Sequence, residues 1–279
     1  MKTILTIAGL DPSNGAGITK DLDVFASLGI HGLSIPTCIV SQGPTGVHDI
    51  YPVAYPKFIE MVDAIKDGIG IDAIKTGVLL NEAYMDRIKD LIKGIGEVPF
   101  IIDPIIRAKD ATILLSEEGI RHMREVLFPL ASLVTPNIDE AAALTGLEVN
   151  GIDGMKEAVK RICDRGVKAV VIKGGHLNGP ATDLLYDGGE FLTYERPRLE
   201  RNVHGTGCIF SSLMASFLVS GYRVREAFLE AEEIMTALLT GSYRIARDGS
   251  GYFYTSSSIE AAWKADRWQV ISKMGEWSA

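Results

Sequence analysis

Short runs of β-branched and aliphatic residues alternate along this chain with longer stretches of helical spacing, and that alternation restricts the fold more than any other feature. The runs are 3–7, 33–40, 73–75, 100–102, 132–135 and 169–172. Runs this short and this continuously apolar are predicted to be strands buried on both faces. Residues 15–28, 55–69, 81–94, 116–128 and 153–166 lie between or beside them and have the length and spacing of amphipathic crossover helices. Strands separated by such helices pair in parallel through right-handed crossovers, so the expected fold is α/β, with helices on both faces of a doubly wound sheet. Asp183 to Asp187 and Phe191 to Tyr194, joined by Gly188-Gly189, are expected to form a hairpin that adds an antiparallel edge.

The composition is that of a soluble globular protein: 279 residues, 47% hydrophobic and 23% charged, enough to bury a large core. A net charge of -8 without a Lys/Arg-rich block argues against nucleic acid or an anionic membrane as the main partner. Cys38, Cys163 and Cys208 are odd in number and far apart, which suggests neither a disulfide framework nor a clustered metal site. The N-terminus runs directly into Ile4-Leu5-Thr6-Ile7 with no signal-peptide pattern, and no apolar run reaches membrane-spanning length. A cytoplasmic location is expected.

In open α/β sheets, ligands bind beyond the carboxyl ends of the strands. Here those ends carry Gly9 to Gly17, Ser41-Gln42, Thr76-Gly77, Asp103, Asn137 with Glu140, and Lys173-Gly174-Gly175-His176. A further stretch, Arg201-Asn202-Val203-His204-Gly205-Thr206-Gly207-Cys208, opens onto apolar pairs at 209/210, 213/214 and 217/218, a helix that should stop at Gly221. Glycines ahead of a helix N-terminus let backbone N–H groups approach an anion, and the same place should lower the Cys208 thiol pKa. Asp103, Asn137 and Glu140 offer oxygen ligands for Mg²⁺, directly or through water, and Lys173 a partner for phosphate. Gly205 to Cys208 offer a place for the transferring group. No Gly-x-x-x-x-Gly-Lys-Ser/Thr loop is present, so the usual P-loop is excluded. Each residue alone could be a cap or a turn. A Cys208 hydrolase or transferase assisted by His204 or His176 is a second reading, which leaves Lys173, Asn137 and Glu140 without work. A pure binding module ranks last, having no need of a general base beside an anion hole.

Taken together, Ala8-Gly9-Leu10-Asp11-Pro12-Ser13-Asn14-Gly15-Ala16-Gly17-Ile18, Asp103-Pro104, Thr135-Pro136-Asn137-x-x-Glu140-Ala141, Lys173-Gly174-Gly175-His176 and His204-Gly205-Thr206-Gly207-Cys208 resemble the hydroxymethylpyrimidine/phosphomethylpyrimidine kinases of thiamine biosynthesis. These belong to the ribokinase-like superfamily, and the resemblance runs in order from about residue 3 to about residue 247. It implies an ATP- and Mg²⁺-dependent kinase acting on a pyrimidine alcohol and on its monophosphate. The pyrimidine pocket would come from Ala16, Asp21, Gln42, Val78 and Ile105, with Gln42 reading the ring's amino and nitrogen edge. Asp103, Asn137 and Glu140 would organise Mg²⁺ and the nucleotide phosphates, Asp103 and Glu140 as the metal pair. Lys173 and Thr206 would contact ATP. Gly205, Gly207 and Cys208 would be catalytic, the turn as anion hole and Cys208 where the wider superfamily carries an aspartate base.

The chain departs from the family at Leu10 (usually Ser or Thr), Asn14 (usually Gly) and Val78 (usually Met). It also carries Lys109-Asp110-Ala111-Thr112-Ile113 in place of a Lys-Ser-Gly-Asp-Pro-like lid, Gln42-Gly43-Pro44-Thr45 in place of Gln-Asn-Thr, and Gly249-Ser250-Gly251-Tyr252-Phe253 in place of Gly-His-Gly-Pro-Val-Asn. Pyridoxine/pyridoxal kinases sharing the His-Gly-Thr-Gly-Cys ending are the alternative within the superfamily. Residues 1–255 are expected to form one kinase domain. Residues 256–279, opening on Ser257-x-x-Glu260, are expected to be a helical extension docked on that domain or on a partner subunit. A homodimer is expected.

Overall fold

The computed structural model describes residues 1–43, 45–175, 180–199, 201–246 and 250–255. The expected C-terminal helix, His176 and Gly249 lie outside them.

Nine strands form one sheet, in the spatial order β3-β2-β1-β4-β5-β6-β7-β8-β9. They are β1 (Thr3–Leu10), β2 (His31–Gly43), β3 (Gly46–Pro52), β4 (Ala73–Thr76), β5 (Phe100–Ile102), β6 (Leu133–Val134), β7 (Val170–Ile172), β8 (Ala181–Tyr186) and β9 (Phe191–Arg196). The strands from β2 to β7 in this order pair in parallel. The expected hairpin is β8–β9, with β8 antiparallel to β7, β9 antiparallel to β8, and Gly188 at φ +95° in its turn. The opposite edge is antiparallel as well, which the sequence reading missed: β2 runs past Val40 to Gly43 and folds back as β3. The residues of β3, Gly-Val-His-Asp-Ile-Tyr-Pro, are mostly exposed, so no apolar run announces this strand.

Alternation along the buried strands sends side chains to two helical layers. Leu5, Ile7, Ile74, Phe100, Ile102, Val134 and Ile172 pack with Phe58, Tyr84 and Ile88 in one core, whereas Ile4, Ala73, Ile101, Leu133 and Val171 pack with Phe210, Leu213, Phe217 and Phe228 in the other. The first layer holds α2 (Tyr55–Gly68), α3 (Glu82–Ile95), α4 (Glu117–Val126), α5 (Ile138–Thr145) and α6 (Gly151–Cys163). The second holds α1 (Gly17–Ser27), α7 (Thr206–Val219) and α8 (Val224–Thr240). The short α5 and the long α8 were not anticipated. The sheet order reverses between β1 and β4, so the loops after these two strands diverge and leave a crevice, the standard ligand position in such sheets.

Candidate active site

That crevice is a cavity of about 630 Å³ beyond the strand ends. Of the residues expected to act, Ala16, Gln42, Val78, Ile105, Asp103, Asn137, Glu140, Lys173, Gly205, Thr206, Gly207 and Cys208 all line it. Asp21 does not.

Asp21 lies on α1, fully buried, where its carboxylate takes two 2.8 Å bonds from Lys75 Nζ, one of 2.5 Å from Thr6 Oγ1 and one of 2.8 Å from Ser212 Oγ. Every partner is itself fully buried, so Asp21 serves the floor of the site instead of the substrate. The expected substrate contact is corrected accordingly. Lys75 was missed; a lysine inside the short strand run Ala73–Thr76 was its signal.

The turn ahead of α7 is built as its glycines suggest. Gly205 takes φ +70°, and a Cβ there would stand 1.9 Å from the Gly15 carbonyl oxygen. A Cβ on Gly207 would lie 3.1 Å from Lys173 Nζ and 3.3 Å from Asp103 Oδ2. Glycine therefore lets the first turn of α7, with its free N–H groups, sit directly against the charged pair. Lys173 Nζ donates to Asp103 Oδ1 at 2.9 Å, and Asp103, 1% exposed, also accepts from Thr135 Oγ1 at 3.2 Å and Ser211 Oγ at 3.4 Å. Burial works against the Lys173 ammonium, but Asp103 and Glu140 hold its pKa above the ordinary value.

Asn137 and Glu140 form a capping box on α5: Glu140 N–H donates to Asn137 Oδ1 at 2.8 Å, and Asn137 N–H donates to Glu140 Oε2 at 2.7 Å. Burial, with the neighbouring Asp103 and Asp139 adding to it, raises the Glu140 carboxyl to about 7 against the pull of Lys173 and the Asn137 N–H. Among the described residues no three or more His, Cys, Asp and Glu side chains cluster as a metal cage. Asp103 and Glu140 still fit Mg²⁺, an ion that keeps several waters and needs only one or two carboxylates beside substrate phosphates.

Cys208 corrects a second expectation. Its thiol is pushed up to about 12, because burial and the carboxylates of Asp21 and Asp103 outweigh Lys75 and the Gly17 N–H. The helix start alone would have lowered it; the depth of the site reverses the sign.

Over the other end of the cavity, Asp11 Oδ2 accepts from Gln42 Nε2 at 2.5 Å and from the Ala16 N–H at 2.9 Å. His204 Nε2 lies 3.0 Å from the same oxygen and 2.6 Å from Gln42 Nε2. The His204 ring stacks on Tyr252 at 5.3 Å. Lys109 lies 5.5 Å over the Tyr252 ring and donates to the Val203 carbonyl, and burial lowers its pKa to about 8. Asp110 accepts from the Val47 N–H at 2.8 Å, joining segment 107–113 to the β2–β3 flap. Asp11, His204 and Tyr252 thus belong to the site; the sequence reading weighed His204 only as a helper of Cys208 and gave Asp11 and Tyr252 no individual role. Asn14, where the family usually carries glycine, takes φ +56°, a left-handed position that asparagine tolerates better than most residues.

The profile of the phosphomethylpyrimidine kinase family matches residues 11–252. The chain is similar to the hydroxymethylpyrimidine/phosphomethylpyrimidine kinase of Bacillus subtilis, 34% identical over 89% of this chain and 92% of that protein. It is also similar to a thiamine biosynthesis bifunctional protein of Geobacter sulfurreducens, 38% identical over 85% of this chain, and spans about half, 49%, of that longer protein. Among solved structures it resembles an ADP complex of Bacillus subtilis pyridoxal kinase, with TM-score 0.85, 35% identity and coverage of 93% and 98% of the two chains. The phosphomethylpyrimidine kinase of Clostridium difficile superposes with TM-score 0.75 at 32% identity, covering 85% and 98%.

Proposed function

Because this chain belongs to the phosphomethylpyrimidine kinase family, we propose that it transfers the γ-phosphoryl group of ATP to the hydroxymethyl group of 4-amino-5-hydroxymethyl-2-methylpyrimidine, and then phosphorylates the monophosphate, in thiamine biosynthesis. The observation that carries this reading is the close approach of the Asp103–Lys173 ion pair to the glycine-framed start of α7, in the same cavity as Gln42 and Val78.

Phosphoryl transfer needs positioning and charge stabilisation more than covalent chemistry. In this reading Lys173 and Thr206 hold the nucleotide phosphates, while the N–H groups of Gly205 to Cys208 face the charge that develops on the transferring group. Asp103 and Glu140, with Asn137 holding Glu140 in place, are the residues that would hold Mg²⁺. That ion neutralises phosphate charge and orients the leaving oxygens when bound. Gln42, fixed by Asp11 and His204, presents its amide to the pyrimidine edge between Ala16, Val78 and Ile105. The thiolate form of Cys208, the minor form at neutral pH given its raised pKa, takes the hydroxyl proton on Sγ late in the transfer and becomes the thiol. Lys109, drawn over the cavity by the Val203 carbonyl and Tyr252, supplies positive charge for the second, phosphorylated substrate.

Pyridoxal is the second acceptor to test, since the pyridoxal kinase structure superposes with the higher TM-score, 0.85 against 0.75. Product analysis with purified protein, ATP and Mg²⁺ compares the pyrimidine alcohol, pyridoxal, pyridoxine and a simple ester. Preferential phosphorylation of the pyrimidine alcohol is expected; ester turnover without nucleotide consumption would sink the kinase reading. A homodimer and a cytoplasmic setting belong to the same proposal. Sedimentation tests the first and cell fractionation the second.

A further inference from the structure

A second buried charged cluster lies beside the phosphate end of the cavity, built from Asp183 on β8, Arg196 on β9 and Glu232 on α8. Asp183 is 1% exposed and Glu232 0%. One Arg196 NH2 hydrogen goes to Asp183 Oδ2 at 2.9 Å, and Arg196 NH1 donates to Glu232 Oε2. The other oxygen of Asp183, Oδ1, accepts the N–H of Gly174 at 2.7 Å. Gly174 directly follows Lys173, whose Nζ is held by Asp103.

Two carboxylates around one guanidinium would leave an uncompensated negative charge in a dry interior, an expensive state. Glu232 Oε1 is also buried without a hydrogen-bond partner. One proton answers both problems. Placed on Glu232 Oε1, it brings the cluster to neutrality and gives that oxygen the Asp183 carboxylate as its acceptor. Burial and the adjacent Asp183 accordingly push the Glu232 carboxyl well above its usual range.

We infer that Asp183, Arg196 and a neutral Glu232 are positioning residues for the nucleotide: they fix the Gly174 backbone and, through it, the Lys173 side chain against the phosphates. The arrangement ties α8, β8, β9 and the loop after β7 into one chain of hydrogen bonds. It rests on the reading that Lys173 faces the ATP phosphates.

The test is ATP binding by calorimetry, together with the KM values for ATP and for the pyrimidine alcohol, on two isosteric variants chosen so that the fold survives. Asp183→Asn presents an amide donor either to the Gly174 N–H or to Arg196, so one of the two bonds is lost. It should weaken ATP binding and raise the KM for ATP at least tenfold, leaving the KM for the alcohol within twofold. Glu232→Gln replaces a neutral acid by a neutral amide that can still accept from Arg196 and donate to Asp183, and should weaken ATP binding several-fold less than Asp183→Asn does. The inference is overturned if Asp183→Asn binds ATP as the parent does, even with a lowered melting temperature, or if Glu232→Gln loses ATP as severely as Asp183→Asn. A parent that binds ATP but phosphorylates no pyrimidine alcohol would remove the substrate assignment and leave this inference standing. A parent that binds no ATP removes both.

Discussion

Cys208 shows how depth overrides local position. A thiol at a helix start is normally easier to ionise, but this one, 5% exposed and facing Asp21 and Asp103, is held near about 12. It is a neutral thiol at neutral pH, and as a base it acts only through its small ionised fraction. A rate that depends on Cys208 therefore climbs with pH across roughly pH 7 to 9, since the thiolate fraction grows about tenfold per unit. Cys208→Ala is expected to lower kcat by about 10²–10⁴, the usual worth of a positioned base, and to flatten that slope. Cys208→Asp should recover part of the loss. Steady-state kinetics of the folded variants check this: turnover within a few-fold of the parent, with the pH profile intact, leaves the N–H groups of the α7 turn as the catalytic part, consistent with a loose transition state that needs little help from a base.

Two helix starts shape the site, and each makes a separate prediction. At α7, Gly205→Ala forces an L side chain into φ +70° and drives its Cβ to within 1.9 Å of the Gly15 carbonyl. The left-handed backbone alone costs roughly 1–3 kcal/mol, so denaturant unfolding should show at least that loss. An unchanged midpoint would mean that the turn relaxes freely. At α5, Glu140 has its carboxyl raised from 4.5 to about 7, chiefly by burial. The folded protein then binds this proton more tightly than the unfolded chain, so the stabilisation is complete below the ordinary carboxylate range and is lost as pH rises through about 7. Glu140→Gln keeps an acceptor for the Asn137 N–H and removes the titration. Relative to the parent it should gain stability from pH 5 to 8, by on the order of 2 kcal/mol, while losing turnover. Thermal melts at several pH values decide it, and a constant difference between variant and parent refutes the linkage.

At the scale of the whole molecule, the cavity joins strand ends from across the sheet, so filling it should stabilise the chain as a unit. ATP with Mg²⁺ at about a hundred times its dissociation constant adds about 2.7 kcal/mol, which for a chain of this size raises Tm by about 5–10 °C. Chelation of the metal should remove most of the rise, and no shift with ATP and Mg²⁺ would count against the nucleotide assignment. The parallel core of the sheet was legible from the chain because a strand buried on both faces must be apolar throughout, as Phe100–Ile102 and Val170–Ile172 are. The strand-end residues were legible too, because glycine, lysine and carboxylates after such runs have few other uses in combination. The exposed β3 and the short α5 were not, the first for lack of an apolar run and the second because the Asn137–Glu140 pair reads equally as ligands and as a cap. Nor could sequence assign the depth of each polar group. Asp21 and Cys208 owe their surroundings to Lys75, Ser212 and Asp103, residues distant in the chain that only packing brings together. Desolvation depends on that three-dimensional enclosure, and so the chain determined which chemical groups are present, whereas tertiary structure decided which of them face the cavity and which carry a proton.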